Sequence, residues 1–136
     1  MPRTLLIPLF LCAFLGAAVP GSAQSLINNF TAQAQGESYI LLKWDSGIET
    51  GLANFQVERS FDGFEYSTLT TLAPQGNNSS YTYADNDIYR DSNRTYYYRI
   101  RAQMTDNSFS LSPVQSVVLF FSGIQQTWGS IKALFR

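Results

Sequence analysis

The sequence contains no histidine and a single cysteine, Cys12. Histidine is the commonest metal ligand and the commonest general base, so its absence argues against the usual zinc sites and against Ser–His or Cys–His catalysis. Charged residues make up only 14% of the chain, with nine basic and ten acidic side chains and no basic block. Nucleic-acid binding is therefore not expected. The composition predicts a protein that is not an enzyme and that has neither a cofactor nor a metal.

Residues 1–23 have the pattern of a secretory signal peptide. Arg3 supplies a positive charge, residues 5–15 are almost wholly apolar, and residues 21–23 are small residues suited to cleavage before Gln24. A membrane anchor is the alternative, but the apolar stretch is shorter than the roughly 20 residues of a spanning helix. Cleavage removes Cys12, so the mature chain relies on core packing rather than disulfides. We expect export to the periplasm, cell surface or extracellular space, with no spanning segment after cleavage.

Residues 96–102 predict a central β-strand, because their side chains alternate between two faces. The buried face carries Tyr96, Tyr98, Ile100 and Ala102, and the exposed face carries Tyr97, Arg99 and Arg101. Residues 39–44 and 54–60 show the same alternation. Their expected core positions are Ile40, Leu42 and Trp44 in the first stretch and Phe55 and Val57 in the second.

Four further strands are predicted at residues 30–35, 64–72, 80–85 and 109–119. Asp62-Gly63 marks a tight hairpin turn before the threonine-rich stretch 64–72, whose composition suits an edge. Pro113 requires an edge or bulge position, because proline cannot donate to a strand ladder. Seven short strands separated by turns predict an all-β fold, namely a seven-stranded antiparallel immunoglobulin-like sandwich.

Residues 42–44 (LKW), 55–59 (FQVER) and 96–102 (YYYRIRA) resemble fibronectin type III domains. More narrowly, residues 55–63 (FQVERSFDG), 81–85 (YTYAD) and 97–100 (YYRI) resemble the modules of this family found in secreted Bacteroidetes proteins. The resemblance covers about residues 30–119. It implies that Trp44, Phe55 and Tyr96 have the family's core positions on strands B, C and F. It also implies a sandwich of strands A, B and E against C, C′, F and G. The expected domain spans residues 28–120, and a fold of this kind specifies no activity by itself.

Residues 121–136 form a C-terminal tail. Trp128, Ile131, Leu134 and Phe135 are spaced by three or four residues, a pattern that fits a short amphipathic helix. Two interpretations remain open: the tail folds back onto the sandwich, or it serves as a docking segment for a membrane or partner that uses Trp128.

Several acidic residues invite a chemical interpretation. Asp85, Asp87 and Asp91 lie close to Asn86, and such oxygen clusters can hold calcium, although aspartates in loops more often bond to their own backbone. Asp45 with Glu49, or Glu58 with Glu65, is a candidate carboxylate pair for glycoside hydrolysis, which needs two carboxyl groups about 5–10 Å apart. Nothing in the sequence brings either pair together in a cleft.

Two sets of exposed residues are candidate contacts for a ligand or partner. Tyr97, Arg99, Arg101 and Gln103 form a row on the exposed face of the central strand; they either pair with Gln56 and Glu58 on the next strand or form a ligand face. Phe61 and Phe64 flank the Asp62-Gly63 turn, where they either pack across the turn or form a contact patch. We expect an exported, non-catalytic module for protein interaction or spacing at the cell envelope. The alternative is a carbohydrate-binding module that uses Phe61, Phe64 and Tyr97.

Overall fold

A computed structural model describes residues 25–89 and 92–121 of the chain. These residues form eight β-strands and no helix: β1 (Ile27–Gln35), β2 (Tyr39–Ser46), β3 (Leu52–Ser60), β4 (Ser67–Leu72), β5 (Ser80–Asp85), β6 (Arg94–Met104), β7 (Phe109–Leu111) and β8 (Gln115–Leu119). The all-β prediction is confirmed. The expected signal peptide and the tail after Phe121 lie outside the described residues.

The strands form two antiparallel sheets that face each other as a sandwich. The small sheet has the order β1-β2-β5, and the large sheet has the order β4-β3-β6, with β7 and β8 both paired along the far side of β6. The central position of residues 96–102 is therefore confirmed, because β6 has partners on both sides. The threonine-rich β4 lies at an edge, as its composition predicts.

The core lies between the inward faces of the two sheets. On β6 the alternating residues Tyr96, Tyr98, Ile100 and Ala102 are completely buried. Trp44 of β2 is 1% exposed; its ring stacks on Tyr81 with centroids 5.3 Å apart and meets the edge of Phe55 at 5.9 Å. Burial of aromatic rings provides much of the driving force for folding in a domain of this size.

Several strand boundaries differ from the prediction, and two of the differences change the strand count or the width of a turn. The expected last strand, residues 109–119, is divided into β7 and β8 by residues 112–114, so the sandwich has eight strands rather than seven. Pro113 lies in this break, where its missing N–H removes a ladder bond. The hairpin after β3 is also wider than a two-residue turn. Residues 61–66 belong to no strand, and β4 begins at Ser67 instead of Phe64.

The described chain enters and leaves at opposite ends of the large sheet. Ser25 and Leu26 lie beside Met104, where β6 ends. Leu119 pairs with Arg94, where β6 begins, and Phe121 donates its N–H to the Asn93 side chain at 3.0 Å. Near this second end the Tyr96 hydroxyl accepts a hydrogen bond from the Tyr89 N–H at 2.8 Å. The segment before β6 is thereby tied to the core.

Candidate interaction surface

The outer face of the large sheet carries the predicted arginine row. Arg99 lies opposite Glu58 in the β3–β6 ladder and donates from Nε to the Glu58 carboxylate at 2.7 Å. Its guanidinium also lies 3.8 Å from the centroid of the Tyr66 ring. Arg99 is therefore engaged by an ion pair and a cation–π contact, and the cross-strand pairing interpretation accounts for it.

Arg101 occupies the next outward position and has different neighbours. Its guanidinium lies 4.0 Å from the centroid of Phe109 and donates to the Gln103 side chain. Leu111 lies opposite Arg101 in the β6–β7 ladder, and Phe109 and Leu111 are 50% and 43% exposed. We call Arg101, Phe109 and Leu111 the sheet-face patch. It combines a cation with apolar surface, a composition found in the cores of protein interfaces.

The turn after β3 is held by two polar side chains. Ser60 Oγ accepts hydrogen bonds from the Asp62 and Gly63 N–H groups. Asp62 accepts from the Phe64 and Glu65 N–H groups, which lowers the pKa of its carboxyl to about 2. Gly63 has a φ of +80°, and a Cβ there would lie 3.6 Å from the Tyr97 ring. The turn thus lies against Tyr97, and glycine suits both the φ and the close approach.

The two aromatic residues at this turn have different environments. Phe61 packs edge-on against Tyr89 and Tyr96, with centroids 5.7 and 5.6 Å away, and the guanidinium of Arg59 lies 5.1 Å from its ring centroid. Phe64 is 88% exposed, the highest value among the large exposed hydrophobic residues. Phe61 is 44% exposed, but its ring packs in a cluster around the start of β6, whereas Phe64 is free to meet a partner.

Asp85 belongs to a buried polar network, not to an open oxygen cluster. It is 1% exposed, and its Oδ2 accepts hydrogen bonds from Arg59 Nη1 at 2.8 Å and from the Tyr98 hydroxyl at 2.7 Å. Its Oδ1 accepts from the Asp87 N–H, which is the local backbone bonding typical of loop aspartates. Burial, followed by the bond to Asp85, raises the pKa of the Tyr98 hydroxyl far above its usual range. Asp91 lies outside the described residues.

Glu49 forms a second buried network at the other end of the sandwich. Its carboxylate accepts hydrogen bonds from the Tyr81 hydroxyl and from the Gly76 N–H. Burial opposes ionisation of Glu49, but the polar groups of Ser46, Tyr81, Gly76 and Gln75 around its carboxylate together outweigh burial and lower its pKa. Burial and the bond to Glu49 raise the pKa of Tyr81 to about 12. Glu49 thereby connects the loop before β3 to the loop before β5.

The two carboxylate pairs proposed from the sequence have separate structural partners. Asp45 accepts hydrogen bonds from Asn29 and Ser80 on the outside of the small sheet, while Glu49 is 7% exposed and bonded to Tyr81. Glu58 is 5% exposed and paired with Arg99, whereas Glu65 is exposed in the turn. Each of the acids other than Glu65 thus has a structural partner.

The structure brings together only part of the predicted contact set. Arg101 is joined by Phe109 and Leu111, which the sequence analysis did not single out; their alternation with Ser110 and Ser112 was the available signal. Phe64 stands alone at the turn, and Tyr97 lies under Gly63. Trp128, the remaining predicted contact, lies outside the described residues.

The chain matches no protein-family model and no curated protein. Within residues 25–89 and 92–121, no helix has the length and hydropathy needed to cross a bilayer. The same part of the chain contains no group of three or more acidic or sulfur ligands arranged to hold a metal ion.

Proposed function

We propose that the chain is an exported, non-catalytic module of the fibronectin type III type that mediates protein interaction or spacing at the cell envelope. The order of the sheets supports the family assignment. β1, β2 and β5 correspond to strands A, B and E, and β4, β3, β6 and the β7–β8 strand correspond to C′, C, F and G. Trp44, Phe55 and Tyr96 occupy the buried positions that the resemblance implies.

The bond between Tyr96 and Tyr89 supports the same assignment. Immunoglobulin-like sandwiches carry a tyrosine near the start of strand F whose hydroxyl bonds to the backbone a few residues upstream. Tyr96 is the third residue of β6, and its hydroxyl reaches the N–H seven residues upstream. The buried Ile88 lies next to this contact in the sequence and fills part of the core from the loop.

The sheet-face patch carries the proposal of an interaction role. Phe109 and Leu111 are half-exposed on the same outward face as Arg101, so an aromatic ring, an aliphatic side chain and a cation lie together on one accessible surface. A partner that covers them would gain apolar contact from both side chains and a cation already oriented on an aromatic ring. A non-catalytic role agrees with the structural partners of Asp45, Glu49, Glu58 and Asp85.

A site-specific photocrosslinker can test this interaction role. The probe amino acid replaces Phe109 in the full chain, and a matched variant carries it at Tyr39, an outward position on the small sheet. Both variants are expressed in the native host, irradiated and fractionated. We expect a discrete adduct in the envelope fraction for position 109 and none for position 39. Equal labelling at both positions, or recovery of the chain in the cytoplasm, contradicts the proposal.

Phe64 is the observation that favours the second candidate, a carbohydrate-binding module. An aromatic ring that is 88% exposed offers a stacking surface for a sugar. Phe61 and Tyr97 are less accessible, because the first packs on Tyr89 and the second lies against Gly63. If glycan binding occurs, Phe64→Ala should abolish retention on a polysaccharide column while Phe61→Ala and Tyr97→Ala change it less. Retention unchanged by Phe64→Ala rules out this mode of binding.

A further inference from the structure

The last strand presents an unusual edge to solvent. From Val114 to Phe121 exposure alternates: residues 114, 116, 118 and 120 are exposed, and Val117, Leu119 and Phe121 are buried. Three of the exposed residues are apolar: Val114 is 48% exposed, Val118 is 49% exposed and Phe120 is 71% exposed. No charged residue occurs between Asp106 and Lys132. This stretch is therefore uncharged throughout, and its exposed face is apolar except at Ser116.

Within residues 25–89 and 92–121, the outer edge of this strand pairs with no other strand. β8 pairs with β6 on one side, and β1 of the small sheet packs near it without forming a ladder with it. Natural proteins usually protect edges with charged side chains, proline, bulges or very short strands, and on this edge Pro113 lies before β8 and not within it. The opposite edge of the large sheet has such protection, because β4 carries an irregularity where its register against Val57 and Glu58 shifts. Between Val114 and Phe120 the described chain has no charge and no register shift against β6.

We propose that residues 114–120, here called the edge segment, pair with the edge segment of a second copy of this chain. In an antiparallel pairing with its two-fold axis at Val117, residue 114 lies opposite residue 120, and residue 116 lies opposite residue 118. The two large sheets then join into one continuous sheet. The exposed Val114 of each copy meets the Phe120 of the other, so the most exposed apolar residue of the segment is covered.

The pairing fits a second copy because the segment is self-complementary. A two-fold interface brings the same surface together twice, so any charge within it meets or neighbours its own copy. The edge segment contains none. Pro113 falls just outside the seven-residue ladder and lies opposite Phe121, where its missing N–H interrupts no bond. The ladder pairs backbone N–H and C=O groups of the two copies, and Val114, Val118 and Phe120 of each copy gain cross-strand neighbours on the outer face of the joined sheet.

The inference goes beyond the proposed function and does not depend on export or on the sheet-face patch. Sedimentation equilibrium of the purified full chain tests it directly. We expect a dimer, and we expect Val118→Lys to weaken dimerisation on the order of tenfold or more, because each interface then brings two like charges close together. Ile48→Lys is the matched control: Ile48 is 56% exposed and lies beside Leu111 of β7, outside the edge segment. It should dimerise as the wild type does. A monomer at all concentrations, or equal effects of the two lysines, overturns the proposal.

A disulfide experiment tests the register in the same protein. In a Cys12→Ser background, Ser116→Cys and Val118→Cys chains are mixed and oxidised. The proposed register brings residue 116 of one copy opposite residue 118 of the other, so the mixed disulfide should form faster than either self-pair. If the tail, and not a second copy, pairs with the edge segment, the full chain should be monomeric and a chain ending at Phe121 should dimerise. Either that result or faster self-pairing of Val118→Cys overturns the pairing proposed here.

Discussion

Strand β5 carries two buried pairings of a carboxylate with a tyrosine, one at each end. At its end, Asp85 accepts from Tyr98 and is paired with the guanidinium of Arg59. At its start, Tyr81 donates to Glu49, whose other oxygen accepts from the backbone N–H of Gly76. The first carboxylate is balanced by a full positive charge and the second by hydrogen bonds alone.

The difference shows that similar groups can stabilise different parts of one sandwich. Asp85 lies on the small sheet, while Arg59 and Tyr98 lie on the large sheet, so this network joins the two layers across the core. Glu49 and Gly76 lie in loops, so the second network fixes the loops at one end of the sandwich. We expect loss of the first to destabilise the whole domain and loss of the second to loosen mainly one end.

The largest effect is expected from Trp44→Ala, which removes the ring stacked on Tyr81. A buried aromatic truncated to alanine costs about 3–5 kcal/mol of unfolding free energy. Amide exchange should show additional loss of protection at Gly76, because Tyr81 positions Glu49. Trp44→Phe is the control, since it keeps a ring and removes an indole N–H that has no partner among the described residues. An alanine variant that melts like the wild type would place Trp44 outside the core.

Arg59→Ala is expected to lower the unfolding free energy by a smaller amount, about 3 kcal/mol, because it leaves Asp85 buried without its charged partner. Asp85 keeps its bond from Tyr98, which places the expected cost near the lower end of the range for broken buried pairs. Urea unfolding measures the change. Arg101→Ala is the matched control and should cost less than about 1 kcal/mol, since surface substitutions and exposed cation–π contacts contribute little. Equal losses in the two variants would show that the pair across the core has no special role.

Glu49→Gln is expected to have the smallest effect. It should lower the unfolding free energy by about 1–2 kcal/mol near neutral pH, because hydrogen bonds to a charged group are replaced by weaker ones. The pKa of Glu49 is lower in the folded chain than its ordinary value of 4.5. Its contribution is therefore present above about pH 4.5 and is lost as the pH falls through the folded pKa. Thermal melts should show a shallower acid decline for the variant than for the wild type. Parallel declines would mean that Glu49 does not contribute to acid sensitivity.

The sequence predicts the inward faces well, because alternation is a local property. The buried positions of Trp44, Phe55 and Tyr98 follow from their parity along single strands. Arg59 also has inward parity, but its partner Asp85 lies on the other sheet, and nothing local to either strand indicates that the two meet. Asp85 therefore looked like part of a loop cluster with a calcium alternative.

The surface was harder to predict for a related reason. The environment of Phe61 depends on Tyr89, which comes from the loop after β5, and on the guanidinium of Arg59. Phe64, the other phenylalanine at this turn, is 88% exposed. The width of the turn depends on the carboxylate of Asp62 accepting two amides, which the Asp-Gly dipeptide alone does not specify. The break at Pro113 was indicated by its chemistry, but its length was not.

The described chain begins beside the end of β6 and ends beside the start of β6. This arrangement has a mechanical consequence. A force applied between Ser25 and Phe121 runs lengthwise along β1 and β8. It loads the ladders of those strands with β2 and β6 in shear, so many hydrogen bonds must fail together instead of peeling one by one. A domain loaded in this way resists extension along its long axis, whatever is attached to either end.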